Sequence, residues 1–416
     1  MVFRIEDTDK ERSKKEYEEN IIECLEWLGI SYDAGPFRQS ERTEVYISYL
    51  KKLMDADLAY VSKESPTDEE KAELGPGKTL RTEVIRFRNP NKRVKFTDLI
   101  RGDIEFDTTD LGDFVIARSI DEPLYHLTVV IDDHEMGVTH VIRGEDGISN
   151  TPRQILIQEA IGAKRPIYAH VPLILGKDKS KLSGRHGAVA VTEYKRKGYL
   201  PEAFVNYLAL LGWHPSDDRE IFSMNDLIQN FSLERVSKSG AVFDEEKFKW
   251  FNREYIKLLS DDQFIEHTQP FLPEWISATG TKMKRLIPVL RDKISVFSEI
   301  EALFSTSGEL AFLKAQPDYA PDLLLWKKNP DKAASRTHLD ACRSLMEKVR
   351  FESFDAETVK AAVWPYAESK GRGDVLWPLR TALTGQERSP DPFVSAALLG
   401  KDEALARIDT AIKKLV

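Results

Sequence analysis

The sequence predicts an α/β half followed by an all-α half. Up to about residue 195, short apolar runs typical of strands alternate with stretches of helical periodicity, and beyond it the strand pattern disappears. Strands that alternate with helices favour a parallel sheet. The length of 416 residues exceeds that of one ordinary domain and indicates two or three.

Composition and charge exclude several classes of protein. Apolar residues make up 41% and charged residues 31% of the chain, which excludes collagen-like and mostly disordered proteins. No uncharged apolar run is long enough for a transmembrane helix, and the N-terminus lacks a secretory signal, so we expect a cytoplasmic protein without a membrane partner. The only cysteines, Cys24 and Cys342, fit a reducing compartment. The net charge of −9 leaves RNA binding open, because local charge decides it.

The first α/β segment reads as strand, helix, turn and helix. Residues 2–5 form a short apolar run, and residues 11–28 show apolar side chains at helical spacing. Asp-Ala-Gly-Pro at 33–36 predicts a turn, and a second helix follows over about 41–55.

Residues 62–117 predict a small β-rich insertion. A polar loop over 62–80 contains Gly75-Pro76-Gly77. Arg101-Gly102-Asp103 is predicted to be a hairpin turn. Alternation with period two predicts strands at 84–88, 94–96, 104–106 and 114–116.

The α/β pattern resumes at about residue 123. Apolar runs at 128–131, 138–142 and 171–175 predict strands, and residues 151–161 predict a helix. The remaining predicted elements are helices, at 201–212, 225–231, 244–258, 261–268, 280–304, 309–315, 334–350, 356–369, 375–384 and 392–414.

Polar clusters sit at three predicted strand ends, where open α/β sheets bind ligands. Residues 6–9 offer carboxylates to an ammonium, a ribose or a metal, and residues 143–146 offer a guanidinium for a carboxylate or phosphate beside acidic groups for hydroxyls or Mg²⁺. The loop 177–187, rich in lysine and glycine, suits a polyphosphate. Together they indicate a site for a nucleotide and a zwitterionic or acidic small molecule. The alternative is three solvated strand ends, and we predict no resident metal site.

Further motifs occur in order and at fitting spacing along the chain. They are Arg4-Ile-Glu-Asp-Thr-Asp9, Gly35-Pro-Phe-Arg-Gln-Ser-Glu-Arg42, Asp132-Asp133-His134, His140-Val-Ile-Arg-Gly-Glu-Asp146, Asn150-Thr-Pro-Arg-Gln154 and Lys181-Leu-Ser-Gly-Arg-His-Gly187. With these motifs the chain resembles the glutamyl-tRNA synthetases of bacterial type, which are class I aminoacyl-tRNA synthetases. The resemblance spans essentially the whole chain.

The resemblance implies a domain organisation. Residues 1–195 would form a Rossmann-like catalytic domain, with an acceptor-stem insertion at about 60–117. Residues 196–260 would contact the tRNA stem, and residues 261–416 would form a helical anticodon-binding region. The protein would be a monomer.

The resemblance also implies a reaction: ATP activates glutamate to glutamyl-adenylate, and the glutamyl group passes to the 3′ end of tRNA(Glu) in protein synthesis. Glu6, Tyr125 and Arg143 would bind glutamate. ATP would be bound by Lys181, Leu182, Ser183, Gly184 and Arg185, and catalysis is assigned to Lys181, Ser183, Gly184 and Arg185. Asp9 and Arg380 would contact the tRNA, and Mg²⁺ would accompany ATP.

Three departures from the family pattern shape the expectations. The segment with the His-Ile-Gly-His motif and the first sheet strand is missing upstream of Met1, which predicts a shortened copy. Gly184 replaces the second lysine of the Lys-Met-Ser-Lys-Ser loop. Tyr60-Val61-Ser62 stands where zinc-bearing relatives have cysteines, so we expect no structural zinc.

The sequence is compatible with two functions. The first is glutamate–tRNA ligase, and the second is a non-catalytic tRNA-binding protein derived from a synthetase, which the departures at the N-terminus and at Gly184 would favour. A glutamyl-queuosine-type synthetase is disfavoured because such proteins lack the helical anticodon domain. A glutaminyl relative is disfavoured because residues 260–416 show no strand pattern.

Overall fold

A computed structural model describes residues 1–9, 13–64, 83–182 and 190–416. Within them the chain divides into two compact units, residues 1–196 with 200–251 and residues 197–199 with 252–416. Most of the predicted polar loop at 62–80 lies outside the described residues, as do three predicted site residues, Ser183, Gly184 and Arg185.

All β-strands of the described residues lie in the first unit. They are β1 (Val2–Ile5), β2 (Ala34–Arg38), β3 (Ala59–Lys63), β4 (Glu83–Phe87), β5 (Arg93–Asp98), β6 (Gly102–Asp107), β7 (Phe114–Ser119), β8 (Glu122–Pro123), β9 (His140–Gly144), β10 (Ile167–Val171), β11 (Ile174–Leu175) and β12 (Ala241–Val242).

The α-helices of the described residues occur in both units. They are α1 (Lys15–Trp27), α2 (Thr43–Asp55), α3 (Tyr125–Glu135), α4 (Thr151–Ala160), α5 (Val191–Arg196), α6 (Pro201–Gly212), α7 (Met224–Asn230), α8 (Glu245–Leu258), α9 (Asp261–Thr268), α10 (Gly280–Lys293), α11 (Glu299–Phe304), α12 (Lys332–Glu347), α13 (Ala356–Lys370), α14 (Arg372–Thr384), α15 (Pro392–Leu399) and α16 (Lys401–Lys414). None of them is long and apolar enough to cross a bilayer.

Parallel pairing organises the α/β part of the first unit, as the sequence predicts. Strand β1 pairs with β2, and β9 pairs with β10 in a register that sets Arg143 opposite His170. On its other side β10 pairs with β5, where Tyr168 stands opposite Asp98. Strand β10 therefore lies between β5, which carries Asp98, and β9, which carries Arg143.

The β-rich segment contains the predicted strands and shares its core with the rest of the unit. Strands β3, β4, β7 and β8 form an antiparallel sheet, whereas the β5–β6 hairpin extends the parallel sheet at β10. Phe87, Phe96 and Ile116 therefore belong to the same buried cluster as Leu127 and Tyr168. The boundary of the insertion at about 60–117 stays a prediction.

Two local predictions have opposite outcomes. The hairpin turn at Arg101-Gly102-Asp103 is confirmed, because Gly102 pairs with Asp98 and takes the positive φ of +84° that favours glycine. The strand predicted at 128–131 is wrong, because these residues lie inside α3 (Tyr125–Glu135). Residues 127–132 of this helix are all buried, so its sequence lacks the polar face that reveals a helical period.

The second unit is helical, and the described residues 252–416 contain no β-strand. Two predicted helices are each split: 280–304 becomes α10 and α11, and 392–414 becomes α15 and α16. Gly400, at φ +83°, separates the last two. The helix predicted at 309–315 is only a single 3₁₀ turn, Ala311–Leu313.

Candidate active site

The carboxyl end of β1 carries a charged cluster around Arg4. Its guanidinium donates to Glu6 Oε1 and to Asp133 Oδ1, both at 2.9 Å. Burial works to lower the pKa of Arg4, but the two carboxylates outweigh it and raise that pKa. Burial in turn raises the pKa of Asp133. Arg4 thus holds one carboxylate oxygen of Glu6, Oε1. The Glu6 side chain is still 37% exposed.

The completely buried Asp132 anchors α3 beside this cluster. Its carboxylate accepts hydrogen bonds from Gln39 Nε2 at 2.9 Å, Arg42 Nε at 2.8 Å and the Tyr46 hydroxyl at 2.7 Å. Burial and the adjacent carboxylate raise the pKa of Tyr46, which stays a donor. Since these partners come from α2 and the segment before it, the network fixes the helix that begins at Tyr125.

Arg143, on β9, is held on three of its N–H groups. Its Nε donates to His170 Nε2 at 3.1 Å, and its Nη2 donates to Thr151 Oγ1 at 2.8 Å and to the Gly147 carbonyl at 3.0 Å. Gly147 packs so closely that a β-carbon there would lie 2.6 Å from Arg143 Nε. A guanidinium has five N–H donors. The two on Nη1 have no hydrogen-bond partner in the ranges that the structure describes.

Behind Arg143 lies a buried pair of side chains that the sequence does not predict. His170 and Asp98 are both fully buried, and the His170 ring lies 2.6 Å from Asp98 Oδ2 through Nδ1. Burial, with Arg143 and Arg101 nearby, lowers the pKa of His170 although Asp98 opposes the shift. A histidine within the apolar run Ile167–Val171 was the available signal.

Lys181 reaches the segment that carries Arg143. After β11 the chain turns tightly, with Gly176 and Ser180 joined by a backbone hydrogen bond, and Lys181 returns beside Leu175. Its Nζ lies 2.5 Å from Asp146 Oδ2. This ion pair lowers the pKa of Asp146. Two of the three predicted polar clusters are therefore joined.

Glu145 serves the fold rather than an open site. Its Oε1 accepts the backbone N–H of Leu173 at 3.1 Å, and its Oε2 pairs with Arg101 at 2.7 Å. Both carboxylate oxygens are therefore engaged. Within the described residues no three His, Cys, Asp or Glu side chains are grouped so that they could hold a metal ion.

Tyr125 and His126 lie at the start of α3. Tyr125 is 37% exposed, and its ring centroid lies 5.4 Å from that of His126. Burial, with Arg153 and Arg143 nearby, lowers the pKa of His126 to about 4. This imidazole is therefore neutral near pH 7, and it adds no charge beside Arg143.

The two predicted tRNA contacts lie in different units. Asp9 lines a cavity of about 270 Å³ together with Ser40 and Arg118 in the first unit. Arg380, in the second unit, donates to the Glu387 carbonyl at 2.8 Å and lies 4.7 Å from the centre of the Trp377 ring. Burial lowers the pKa of Arg380.

The structure joins some of the predicted site residues and not others. Arg143, Asp146 and Lys181 form one group, and Glu6 belongs to the Arg4 cluster. Between Glu6 and Arg143 no hydrogen bond or ion pair occurs in the described part of the chain. The arrangement offers a guanidinium and an ammonium for two anionic groups, with carboxylates close by.

Comparison with known proteins identifies the class. The family model described as tRNA synthetases class I (E and Q), catalytic domain, matches residues 1–79 and 67–250. A second family model, the anticodon binding domain, matches residues 263–412. Fold and site thus define a class I aminoacyl-tRNA synthetase.

Individual relatives narrow the class to a family. Glutamate–tRNA ligase of Aquifex aeolicus is 41% identical, covering all of this chain and 92% of its own, and that of Sulfurihydrogenibium sp. is 44% identical over 98% and 91%. A crystal structure of a glutamate tRNA ligase from Elizabethkingia meningosepticum, in complex with its amino acid, has a TM-score of 0.82 at 31% identity, covering 100% of this chain and 93% of that one. The chain belongs to the glutamate–tRNA ligase family.

These matches decide between the two functions left open by the sequence. They support aminoacylation, and they do not support the non-catalytic tRNA-binding alternative. The resemblance stated from the motifs and the predicted fold class are both confirmed.

Proposed function

We propose that this protein activates L-glutamate with ATP and transfers it to the 3′ end of tRNA(Glu), as a cytoplasmic enzyme of protein synthesis. The observation that carries the proposal is the arrangement around Arg143. Its Nε and Nη2 are bound by the protein, which leaves Nη1 for a carboxylate. Lys181 forms an ion pair with Asp146, three residues after Arg143 in the chain. Arg143 and Lys181 together suit an acidic amino acid beside a polyphosphate.

Glutamate offers three groups to bind or to react. We assign its side-chain carboxylate to Arg143, because the α-carboxylate must stay free to attack ATP. Glu6 would accept the ammonium through the oxygen that Arg4 leaves open. The exposed Tyr125 would contact the substrate from the start of α3.

The reaction has two steps. An α-carboxylate oxygen bonds to the α-phosphorus of ATP, the bond to the bridging oxygen breaks, and pyrophosphate leaves with the electron pair. A ribose hydroxyl oxygen of the tRNA then bonds to the activated carbonyl carbon, and the bond from that carbon to the phosphate oxygen breaks. AMP leaves with the electron pair, and the hydroxyl proton is released to the AMP phosphate or to water. Lys181, with Leu182, Ser183, Gly184 and Arg185, would stabilise the negative charge that develops on the phosphates.

Mg²⁺ would bind mainly through the ATP phosphates, as is usual for this ion. Asp146, beside Lys181, is the carboxylate that would assist. Asp9 and Arg380 would contact the tRNA, with a stem contact at 196–260 and anticodon recognition within 261–416. We propose a monomer without structural zinc.

A charging assay tests this function. Protein purified from its own cells is incubated with ATP, tRNA from the same organism and labelled glutamate, glutamine or aspartate. We expect glutamate to be esterified to tRNA, with at least about 100-fold preference over the other two, because Arg143 requires a carboxylate at the right reach. Retention of tRNA on a filter without any charging would instead support the non-catalytic alternative.

Lys181→Ala is expected to slow glutamate-dependent exchange of pyrophosphate into ATP by about 100- to 1000-fold, the loss typical when one group that stabilises transition-state charge is removed. The KM for glutamate should hardly change, because Lys181 contacts the other substrate. Lys164→Ala, at an exposed position remote in sequence from the loop, is the matched control. Exchange within fivefold of the unmodified protein would contradict the role of Lys181.

A further inference from the structure

A buried pair of a carboxylate and a histidine lies behind Arg143. Binding of a substrate carboxylate by Arg143 does not by itself require this pair. Asp98, at the end of β5, and His170, on β10, are both fully buried. His170 stands opposite Arg143 in the register of β9 and β10. Three neighbouring strands thus place a carboxylate, an imidazole and a guanidinium in a row.

Hydrogen bonds to Asp98 determine the tautomer of His170. Asp98 accepts the backbone N–H groups of Ile100, Arg101 and His170 at 2.9–3.2 Å, and the His170 ring nitrogen Nδ1 lies 2.6 Å away. Burial works to raise the pKa of Asp98, but these hydrogen bonds outweigh it and lower that pKa. An ionised carboxylate only accepts, so Nδ1 carries the proton. The other nitrogen, Nε2, is left as an acceptor.

That acceptor meets the Nε–H of Arg143 at 3.1 Å. Thr151 Oγ1 lies 3.3 Å from the same His170 nitrogen and also accepts from Arg143 Nη2. The edge of the guanidinium formed by Nε and Nη2 is therefore occupied by the protein. Only the Nη1 end remains for a substrate.

We propose that Asp98 and His170 are positioning residues, which hold Arg143 so that its Nη1 end alone receives the carboxylate of the amino acid. This inference rests on the proposed function, because it takes Arg143 as the carboxylate-binding group. Fixing the guanidinium before the substrate arrives lowers the entropy lost on binding. The same hydrogen bonds exclude a side-on geometry, in which Nε and Nη2 of Arg143 would both donate to the substrate carboxylate.

Two substitutions at His170 separate its two contacts. In His170→Asn the amide can replace Nδ1 toward Asp98, but nothing reaches Arg143. In His170→Gln the longer amide keeps an acceptor for Arg143. We expect the KM for glutamate to rise about tenfold or more in His170→Asn and by less than about threefold in His170→Gln, with kcat and the KM for ATP nearly unchanged in both. Tyr168→Phe, which removes a buried hydroxyl on the same strand, is the control and should leave both KM values unchanged.

The pH dependence of the unmodified protein gives a second readout, which needs no variant. The charged groups that face His170 are Asp98 from β5, Arg101 from the turn and Arg143 from β9. Protonation puts a hydrogen on Nε2, which then opposes Arg143 instead of accepting from it. Because burial lowers the pKa of His170, the ring stays neutral from pH 8 down to about 6.5, the ordinary histidine value, and the KM for glutamate should be level over that range. It should rise only at lower pH, where the ring takes up its second proton, while the KM for ATP stays level.

The outcomes distinguish this inference from the proposed function. If the unmodified protein charges tRNA with glutamate, yet folded His170→Asn keeps its glutamate KM or loses affinity for both substrates alike, the positioning role is wrong. A glutamate KM that already rises between pH 8 and 6.5, while the KM for ATP stays level, would contradict it as well. If the unmodified protein does not charge tRNA with glutamate, the function itself fails.

Discussion

Arg143→Ala is expected to raise the KM for glutamate by at least about 30-fold, with little change in the KM for ATP. Removing one partner of a desolvated, hydrogen-bonded charge pair typically costs about 2–5 kcal/mol. The variant leaves the substrate carboxylate without a counter-charge and leaves His170 Nε2 and Thr151 without their donor. Steady-state kinetics of pyrophosphate exchange at varied glutamate gives the measurement.

Two further variants control this result. Arg143→Lys keeps the charge but cannot supply the planar set of donors, so we expect only partial recovery of the glutamate KM. Arg165→Ala removes another arginine that donates to a backbone carbonyl, that of Lys95 at 2.8 Å, and it should behave like the unmodified protein. A glutamate KM within threefold of normal in Arg143→Ala would show that another residue binds the carboxylate.

Asp132→Ala is expected to be the most destabilising of these substitutions, by about 3–5 kcal/mol, because it removes a fully buried carboxylate that accepts three hydrogen bonds, one of them from the partly buried Arg42. Arg42, Gln39 and Tyr46 would lose their common acceptor. At about 2–4 °C per kcal/mol, the unfolding transition of the first unit should fall by about 6–20 °C in scanning calorimetry.

The same helix provides a matched control for this prediction. Glu135 lies about one turn after Asp132 on α3, and it is exposed. Glu135→Gln should change stability by less than about 0.5 kcal/mol. Tyr46→Phe removes one donor only and should cost about 1 kcal/mol. A midpoint for Asp132→Ala within 1 °C of the unmodified protein would mean that the network does not anchor α3.

Much of the fold could be predicted because its elements have one polar side. Helix α2 shows the pattern, with Tyr46, Leu50 and Leu53 buried along one face. Where that contrast is lost the prediction fails, as at 128–131, which is buried on every side. Helix breaks were also missed, since one glycine at 400 ends α15 although the apolar period continues beyond it.

The candidate site was predictable only in its charged parts. Arg143 comes directly after the apolar run at 138–142, and Lys181 lies in the basic loop that follows the apolar run at 171–175. A charged residue at the end of a predicted strand is easily recognised in the sequence. Asp98 and His170 were not predicted, because 72 positions separate them and neither neighbours a recognisable motif. Only the pairing of β5 with β10 brings them together behind Arg143. Such a relation depends on sheet order, which local patterns do not encode.

The most direct test of this account is a crystal structure of the protein with bound glutamate. We predict a carboxylate oxygen of the ligand about 2.7–2.9 Å from Nη1 of Arg143, with the Nε–His170 hydrogen bond intact. Glutamate bound without contact to Arg143 would contradict the assigned substrate site. Glutamate bound to Nε, with His170 displaced, would contradict the positioning role of Asp98 and His170.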